Sequence, residues 1–470
     1  MVKSNSDREI ATEITLTATG RTEKLTYIGA GTTCIVYQTE SKDIVKEFAP
    51  LIRVNNDYVK TMSRKSNANG ELTPLESLSA FHLGLVRERR VAFDSEITII
   101  DELNCRYRNE EDNMFLVPKD MPETSLGRCH WCDYVGGRTL ETVFAEAKSH
   151  NNAFYHRITY ILPFIISLFD EIAFYHRDCT EDAFKCGILN LDVKPENLFA
   201  IKSQGKYIGV RNLDFGSARR IEDVYNGNTL VEQGLITQIR NYAAEHNYSI
   251  ENPSKLIIDK IASKFFASSP GFYDKERIGE IIKKCLNPQK STVGVISDLK
   301  LLDILAAWKT FLFALSDSTD LFLETEKTKN KDEKTVVKEI FDEIFENNQL
   351  TQSNSLFESY NIYAQLYEIM ARSLEGKRRY RLSASEIADR LRNILCILDG
   401  VPEHMKSEDQ RDFEAMNYIY KQKDELLASH GLKTVKDMIE FCRANEAKGL
   451  KTPEKLGDLH WFLLFGEKHT

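Results

Sequence analysis

The stretch from Asp192 to Gly216, DVKPENLFAIKSQGKYIGVRNLDFG, restricts this chain more than any other. Asn197–Ile201 and Tyr207–Leu213 are strand-like, and Ser203–Gly205 supplies the turn between them. Two short strands, one starting at Asn197 and the other ending at Asp214, would bring those two residues together. The fold must therefore accommodate a short hairpin with polar, chemically capable residues at its open end.

The rest of the chain is unevenly built. Its first third favours strands: Thr12–Thr19, Leu25–Ile28 and Ile35–Thr39, with Ile44–Phe48 closing a hairpin over Ile35–Phe48. Residues 51–86 are polar and irregular until a helical pattern begins near Leu85. From Arg89, RRVAFDSEITIIDEL places Phe93, Ile97, Ile100 and Leu103 on one helix face with Glu96 beside it. Strands return at Met114–Val117 and Gly127–Tyr134. After Gly136–Gly137 helical patterns cover about 139–149, 154–176, 299–315, 335–347, 356–374, 385–398 and 405–447. No repeat is visible. The expected class is α+β, a small β-rich half followed by a larger helical half, an arrangement in which a ligand sits between lobes.

Charge and cysteine content narrow the function classes. A net charge of −9 and a pI near 5.7 argue against generic phosphate-backbone binding, so no nucleic acid is expected. Nine cysteines, an odd number, do not form a disulfide framework and point to a reducing compartment. Cys129-His-Trp-Cys132 has no second ligand pair for zinc and reads as two strand residues. The opening MVKSNSDREIATE contains no apolar core segment of a secretory signal. Tyr155–Tyr175 is apolar, but its uncharged section between Arg157 and Asp170 is too short for a bilayer, so a buried helix is expected. The expectation is a soluble cytoplasmic protein, in its own cell or delivered to another's cytosol, with no membrane partner.

Phe174–Ala200 offers two candidate catalytic aspartates, Asp178 in HRD and Asp192 in LDVKPEN. Phosphoryl transfer asks for an oriented hydroxyl, balanced γ-phosphate charge and a held metal, hence Asp, then Lys two residues on and Asn five on. From Asp178 those positions are Thr180 and Ala183; from Asp192 they are Lys194 and Asn197. Asp192 is selected, and 176–178 is read as a decoy ending the preceding helix. Asn197 and Asp214 are hard oxygen ligands of the kind Mg²⁺ prefers beside phosphates. Gly29-Ala-Gly31-Thr-Thr-Cys34-Ile-Val36 between strands is a flap whose bare glycines let backbone amides approach phosphate oxygens. Lys46 lies on the next strand, with Glu96 as its orienting carboxylate and Glu88 and Glu102 as rivals.

Together these motifs resemble the eukaryotic-type protein kinase family over roughly Leu25 to Leu398, its Ser/Thr branch by Lys194. The resemblance implies a bilobal fold: extension 1–20, N-lobe and hinge 21–135, C-lobe 136–400 with an enlarged activation-segment insert 217–267, and helical tail 401–470. It implies that Asp192 takes the acceptor proton, Lys194 steadies the transferred group, Lys46 holds ATP phosphates and Glu96 holds Lys46. Asn197 and Asp214 would bind Mg²⁺, or Mn²⁺ in its place. Gly29, Gly31 and Val36 would cover the nucleotide. Cys132–Gly137 resembles the hinge, with Asp133 and Val135 offering backbone groups to adenine and Cys132 gating the pocket. Ser269 and Gly271, in SSPGFYDKE, would form the peptide floor. Asp303 would anchor the catalytic loop, and Arg381 would pair with Glu276.

The pattern also breaks. His-Arg before the catalytic Asp is Asn190-Leu191, which leaves no cation for a phosphorylated activation loop, so activity is expected without such phosphorylation. Ala-Pro-Glu is reduced to Asp274-Lys275-Glu276, and the core-helix glycine is Trp308. The insert carries two helix-like runs, Thr229–His246 and Ser254–Phe266, which cover or select a substrate groove or form a passive surface. A partner protein on the insert or the tail is also expected. Two other readings stay open: a catalytically silent kinase-fold scaffold, and a kinase-like small-molecule phosphotransferase.

Overall fold

The structure, a computed structural model, describes residues 11–30, 33–54, 57–62, 73–74, 79–107, 118–120, 123–132, 137–150, 154–177, 186–203, 206–225, 234–248, 253–266, 272, 275–287, 292–316, 333–349, 362–375 and 381–398. The chain is mixed α+β and divides into two compact units. One comprises Met1–Gly137, Leu213–Arg219 and Gly227–Glu232; the other comprises Arg138–Asn212, Arg220–Asn226 and Gln233–Thr470.

The first unit contains β1 (Glu13–Thr15), β2 (Thr22–Ala30), β3 (Cys34–Thr39), β4 (Ile44–Phe48), β5 (Leu51–Val54), β6 (Asp57–Met62) and β7 (Thr73–Pro74). Helix α1 (Ala80–Tyr107) follows, then β8 (Pro118–Asp120), β9 (Glu123–Thr124) and β10 (Gly127–Cys132). The main sheet runs β1-β2-β3-β4-β10-β8, with β9 also on β10. It curls until Leu16, just past β1, bridges Thr124, where Ser125 N–H donates to Thr15 O at 2.9 Å.

Period-two alternation splits the strands between two apolar environments. Ile14, Leu25, Ile35, Tyr37, Val45, Cys129 and Trp131 pack inside the curl. On the other face, Phe48 and Cys34 pack on Val86 and Phe93 of α1. Every position of IVKEF is therefore buried. Cys129 and Cys132, three apart on one strand, point to opposite faces and are not in disulfides.

Two expectations need correction here. Residues 1–20 are not wholly an extension, because β1 is a strand of the sheet and Ile14 is fully buried. The irregular reading of 51–86 missed the β5–β6 hairpin. Its signal was the Asn55-Asn56 pair between LIRV and DYVKTM.

The second unit takes in β11 (Gly137–Thr139) from Arg138 onward, α2 (Leu140–His150) and α3 (Phe154–His176), and continues with β12 (Ile188–Leu189), β13 (Leu198–Ser203) and β14 (Lys206–Asn212). After β15 (Arg219–Arg220) and α4 (Glu222–Tyr225) come α5 (Leu235–Glu245), α6 (Lys255–Phe265), α7 (Lys275–Leu286), α8 (Thr292–Leu315) and α9 (Glu333–Gln349), then helices Ile362–Ser373 and Ala384–Leu398. Helix α3 is long and apolar enough to cross a membrane by length and composition. In this fold Ile158, Ile161, Leu162, Ile165 and Phe169 bury it in the main core, with Trp308, Phe311, Phe341 and Leu391. Trp308, where the resemblance expects glycine, is fully buried and donates its indole N–H to Ser373 Oγ at 2.6 Å. The two runs expected in the insert are α5 and α6. Leu235, Ile239, Ile261 and Phe266 join Ile278, Ile281, Val295 and Leu299 in a second core. Helix α7 was not foreseen; its first turn had been read only as a degenerate Ala-Pro-Glu. The tail, 401–470, lies outside the described residues.

One buried carboxylate in this unit yields a pH prediction. Glu171 on α3 is 2% exposed, accepts from Tyr175 Oη and lies 3.2 Å from Arg211 of β14. Burial pushes its carboxyl from 4.5 up to about 7, with Arg211, Tyr175 and Asn212 opposing. The folded value lies above the unfolded one, so this contribution is complete below pH 4.5 and is lost as pH rises to about 7. Wild type should lose about 3 kcal/mol more than Glu171→Gln across that window in denaturant titrations. Equal slopes for the two proteins would refute the assignment.

Candidate active site

In the first unit, β3, β4 and β10 align Val36, Lys46 and His130 across the sheet. Their side chains share the face that α1 covers. On α1, Phe93, Ile97, Ile100 and Leu103 are buried, and Glu96 lies among them at 4% exposure. Lys46 Nζ donates to Glu96 Oε1 at 2.6 Å and to Leu213 O at 3.0 Å. Glu96, not Glu102, takes the lysine; the side chain of Glu88 is outside the described residues. Burial works against the ammonium, but Glu96, with Cys34 and Asp214 behind it, holds Lys46 above its ordinary value. Burial holds the Glu96 carboxyl above the usual range against the pull of Lys46, and Asp214 adds to the rise.

Asp214 belongs to the same unit. Its carboxylate is exposed, and its Oδ1 accepts the Gly216 N–H at 2.9 Å. A Cβ on Gly216 would lie 3.1 Å from that oxygen, so the glycine lets the turn fold tightly round the carboxylate. Val36, Ile44, Cys132 and Leu213 form a small apolar cluster on the lysine face. Gly29 pairs with Val36, and a Cβ built on it meets nothing within 4 Å. Gly31, Asp133, Val135, Ser269 and Gly271 lie outside the described residues, as does Asp178.

The second unit assembles the Asp192 set. Lys194 Nζ donates to Asp192 Oδ2 at 2.9 Å. Asn197 Nδ2 donates to the same oxygen at 2.8 Å and to Asp192 O at 3.0 Å. With its amide nitrogen so engaged, Asn197 has its Oδ1 left as an oxygen donor to a cation.

The loop is suspended from α8. Asp303 Oδ1 accepts the Leu191 N–H at 2.7 Å, and Oδ2 accepts the Asn190 N–H at 2.9 Å and His176 Nε2 at 2.9 Å. Asn190 Oδ1 in turn accepts the Asp192 N–H at 3.2 Å. Leu191 has φ +64, a left-handed conformation that costs a branched residue roughly 1–2 kcal/mol. Its N–H bond to a buried carboxylate offsets that strain, which is the kind stored at functional loops. β13 and β14 pair with Leu198 opposite Asn212, one residue beyond Asn197 on one strand and two before Asp214 on the other.

Thus Lys46, Glu96 and Asp214 gather in the first unit, and Asp192, Lys194 and Asn197 in the second. Asp303 anchors the 190–191 backbone, as expected. Arg381 does not pair with Glu276. Its guanidinium donates to Ser297 O at 2.9 Å and Glu375 O at 2.9 Å. Glu276 is exposed in the first turn of α7, where the helix dipole favours an acid.

Sequence reasoning also missed two histidines. His176 holds Asp303. His130 stacks on Phe93 at 3.6 Å between centroids, with Nδ1 3.8 Å from Glu96 Oε2. The signal for His130 was its alternation with Cys129 and Trp131 opposite Lys46.

Solved structures that match include one described as "PpkA-294 apo form", 17% identical, covering 78% of this chain and 95% of its own, at a TM-score of 0.38. No protein-family model matches the chain. No curated relative matches it either.

Proposed function

We propose that this chain is a protein serine/threonine kinase that transfers the γ-phosphoryl group of ATP to a protein hydroxyl. The observation that carries the reading is the Asp192 cluster: a carboxylate gripped by Lys194 and Asn197 on a loop hung from Asp303. In this reading Asp192 orients the acceptor hydroxyl and takes its proton as the oxygen bonds to the γ-phosphorus. The bond from that phosphorus to the β,γ-bridging oxygen breaks, and ADP leaves. Lys194 steadies the transferred group, and Lys46, fixed by Glu96, holds the ATP phosphates.

Asn197 Oδ1 and the exposed Asp214 carboxylate are hard oxygen donors that suit Mg²⁺, or Mn²⁺ in its place. When bound, the ion would neutralise charge on the phosphates. The Val36, Ile44, Cys132 and Leu213 cluster is an apolar surface suited to a purine. Gly29, Gly31 and Val36 cover the nucleotide in this reading, and Asp133 and Val135 meet adenine through their backbones. Ser269 and Gly271 receive the peptide. Protein-substrate choice, cytoplasmic location, and a partner on the insert or tail belong to the same proposal.

The deciding experiment is incubation with γ-labelled ATP, Mg²⁺ and a Ser/Thr protein acceptor, wild type against Asp214→Ala. Label on protein serine or threonine from wild type alone is the expected result. No label, with no nucleotide-dependent thermal stabilisation, would reject the reading. Gly29 gives a finer check. Because its Cβ position is open space in the fold, Gly29→Ala should keep the wild-type melting temperature. It should raise the KM for ATP about tenfold through lost backbone approach to phosphate.

A further inference from the structure

We propose that His130 is a positioning residue for Glu96: its ring holds α1 to the sheet through Phe93, and its Nδ1 edge sets the carboxylate that Lys46 faces. The proposal rests on the reading of Lys46 as the lysine that holds the ATP phosphates. All four residues belong to the first unit.

His130 is placed by strand register. It stands directly opposite Lys46 in the β4–β10 pairing, so both side chains leave the sheet on the face that α1 covers. Phe93 and Glu96 are three apart on α1 and come down on that face together. The imidazole meets both. It stacks on Phe93 with centroids 3.6 Å and planes 19° apart, and its Nδ1 lies 3.8 Å from Glu96 Oε2. Since His130 and Phe93 are each 1% exposed, water cannot take the place of a lost ring.

The stack has a mechanical effect because Phe93 is itself braced. Its ring lies 5.3 Å from that of Phe48 on β4 and 5.6 Å from Arg90 Cζ, and Arg90 is tied to Asp94 at 3.0 Å. A second ring laid on so constrained a neighbour limits how far α1 can slide or roll over β4 and β10.

The ring edge has an electrostatic effect. Glu96 gives Oε1 to Lys46 at 2.6 Å, and its carboxylate accepts the Phe215 backbone N–H while Asp214 repels it. The terminal torsion of a glutamate is broad, so a grip on one oxygen leaves the plane of the carboxylate free to turn. At 3.8 Å the Nδ1 edge is beyond hydrogen-bond length. A carboxylate only accepts, so the arrangement favours a proton on Nδ1. That N–H dipole attracts Oε2 across a gap without water, where a low dielectric strengthens it. Oε2 is drawn to the strand, and Oε1 stays aimed at the ammonium.

Substitution separates the two effects. His130→Phe keeps the stack and loses Nδ1. His130→Asn puts a polar atom near the place of Nδ1 and loses the stack. His130→Val loses both. Leu103→Ala unpacks α1 seven residues beyond Glu96 and serves as the control for loosened structure. In the full chain without nucleotide, Lys46 should be acylated by an amine-reactive reagent about tenfold faster in the Phe and Val variants. Asn and Leu103→Ala should stay within about twofold of wild type. Melting temperature should fall by a few degrees in Asn, Val and Leu103→Ala but hold in Phe. In phosphotransfer, kcat/KM for ATP should follow the acylation, dropping about tenfold in Phe and Val, with the KM for the protein acceptor within about twofold. Acylation that tracks melting temperature across the four variants would overturn the proposal. So would a Phe variant acylated at the wild-type rate, or an Asn variant acylated as fast as Val. If wild type transfers no phosphoryl group, the kinase reading fails by itself, and acylation and melting alone decide whether His130 sets Glu96.

Discussion

Asp192→Ala is expected to reduce phosphotransfer about 10³- to 10⁴-fold, the range lost when a positioned proton acceptor is removed. The fold should tolerate the change. The Asp192 and Lys194 side chains retain 14% and 21% of their exposure, so the released lysine can turn to water at a cost of about 1 kcal/mol or less. Nucleotide-dependent thermal stabilisation should persist, because nothing assigned to phosphate or metal has been removed. Asp192→Asn tests the same point without changing shape, since an amide cannot take the proton. Either variant keeping a tenth of wild-type turnover would remove Asp192 from its assigned role.

Lys46→Met should abolish turnover and also weaken the fold, and the two losses have different causes. In the proposed kinase reading, turnover falls because the phosphates lose their cation. Stability falls because Glu96, 4% exposed, is left without the ammonium it faces at 2.6 Å. Breaking a buried pair from one side costs about 3–5 kcal/mol. Combining it with Glu96→Leu should restore most of the stability and none of the activity. The pH dependence has a definite sign. With Lys46 gone, the largest pull against the rise that burial imposes on the Glu96 carboxyl is lost, while the Phe215 backbone N–H still opposes it. The single variant should then be relatively more stable in acid and lose ground to wild type as pH increases. A double variant no more stable than Lys46→Met would show that the pair does not govern this part of the fold.

What could be read from the sequence followed how locally each feature is encoded. Phe154–His176 was legible to the residue because a long apolar run ended in a charged triplet. The β13–β14 hairpin was legible from two short runs and a Gly turn. Glu96 could be placed against Lys46 because helical periodicity fixes which side of α1 faces inward. The missed features depend on tertiary contacts. Arg381 takes the carbonyl oxygens of Ser297 and Glu375, and Glu276 lies in the first turn of a helix that its reading as a motif remnant had obscured. His176 sits in a triplet read as a decoy, and its contact with Asp303 arises only in the fold.

The return of the strand ladder at Leu16 and Thr124 bears on how this protein can be shortened. A version begun at Arg21 would strip the partner from Thr22–Lys24 and uncover Ile35, Tyr37 and Trp131. Raw β edges invite neighbouring molecules to add their own strands. Such a trimmed protein should form aggregates, while one begun ahead of Ala11 should remain dispersed.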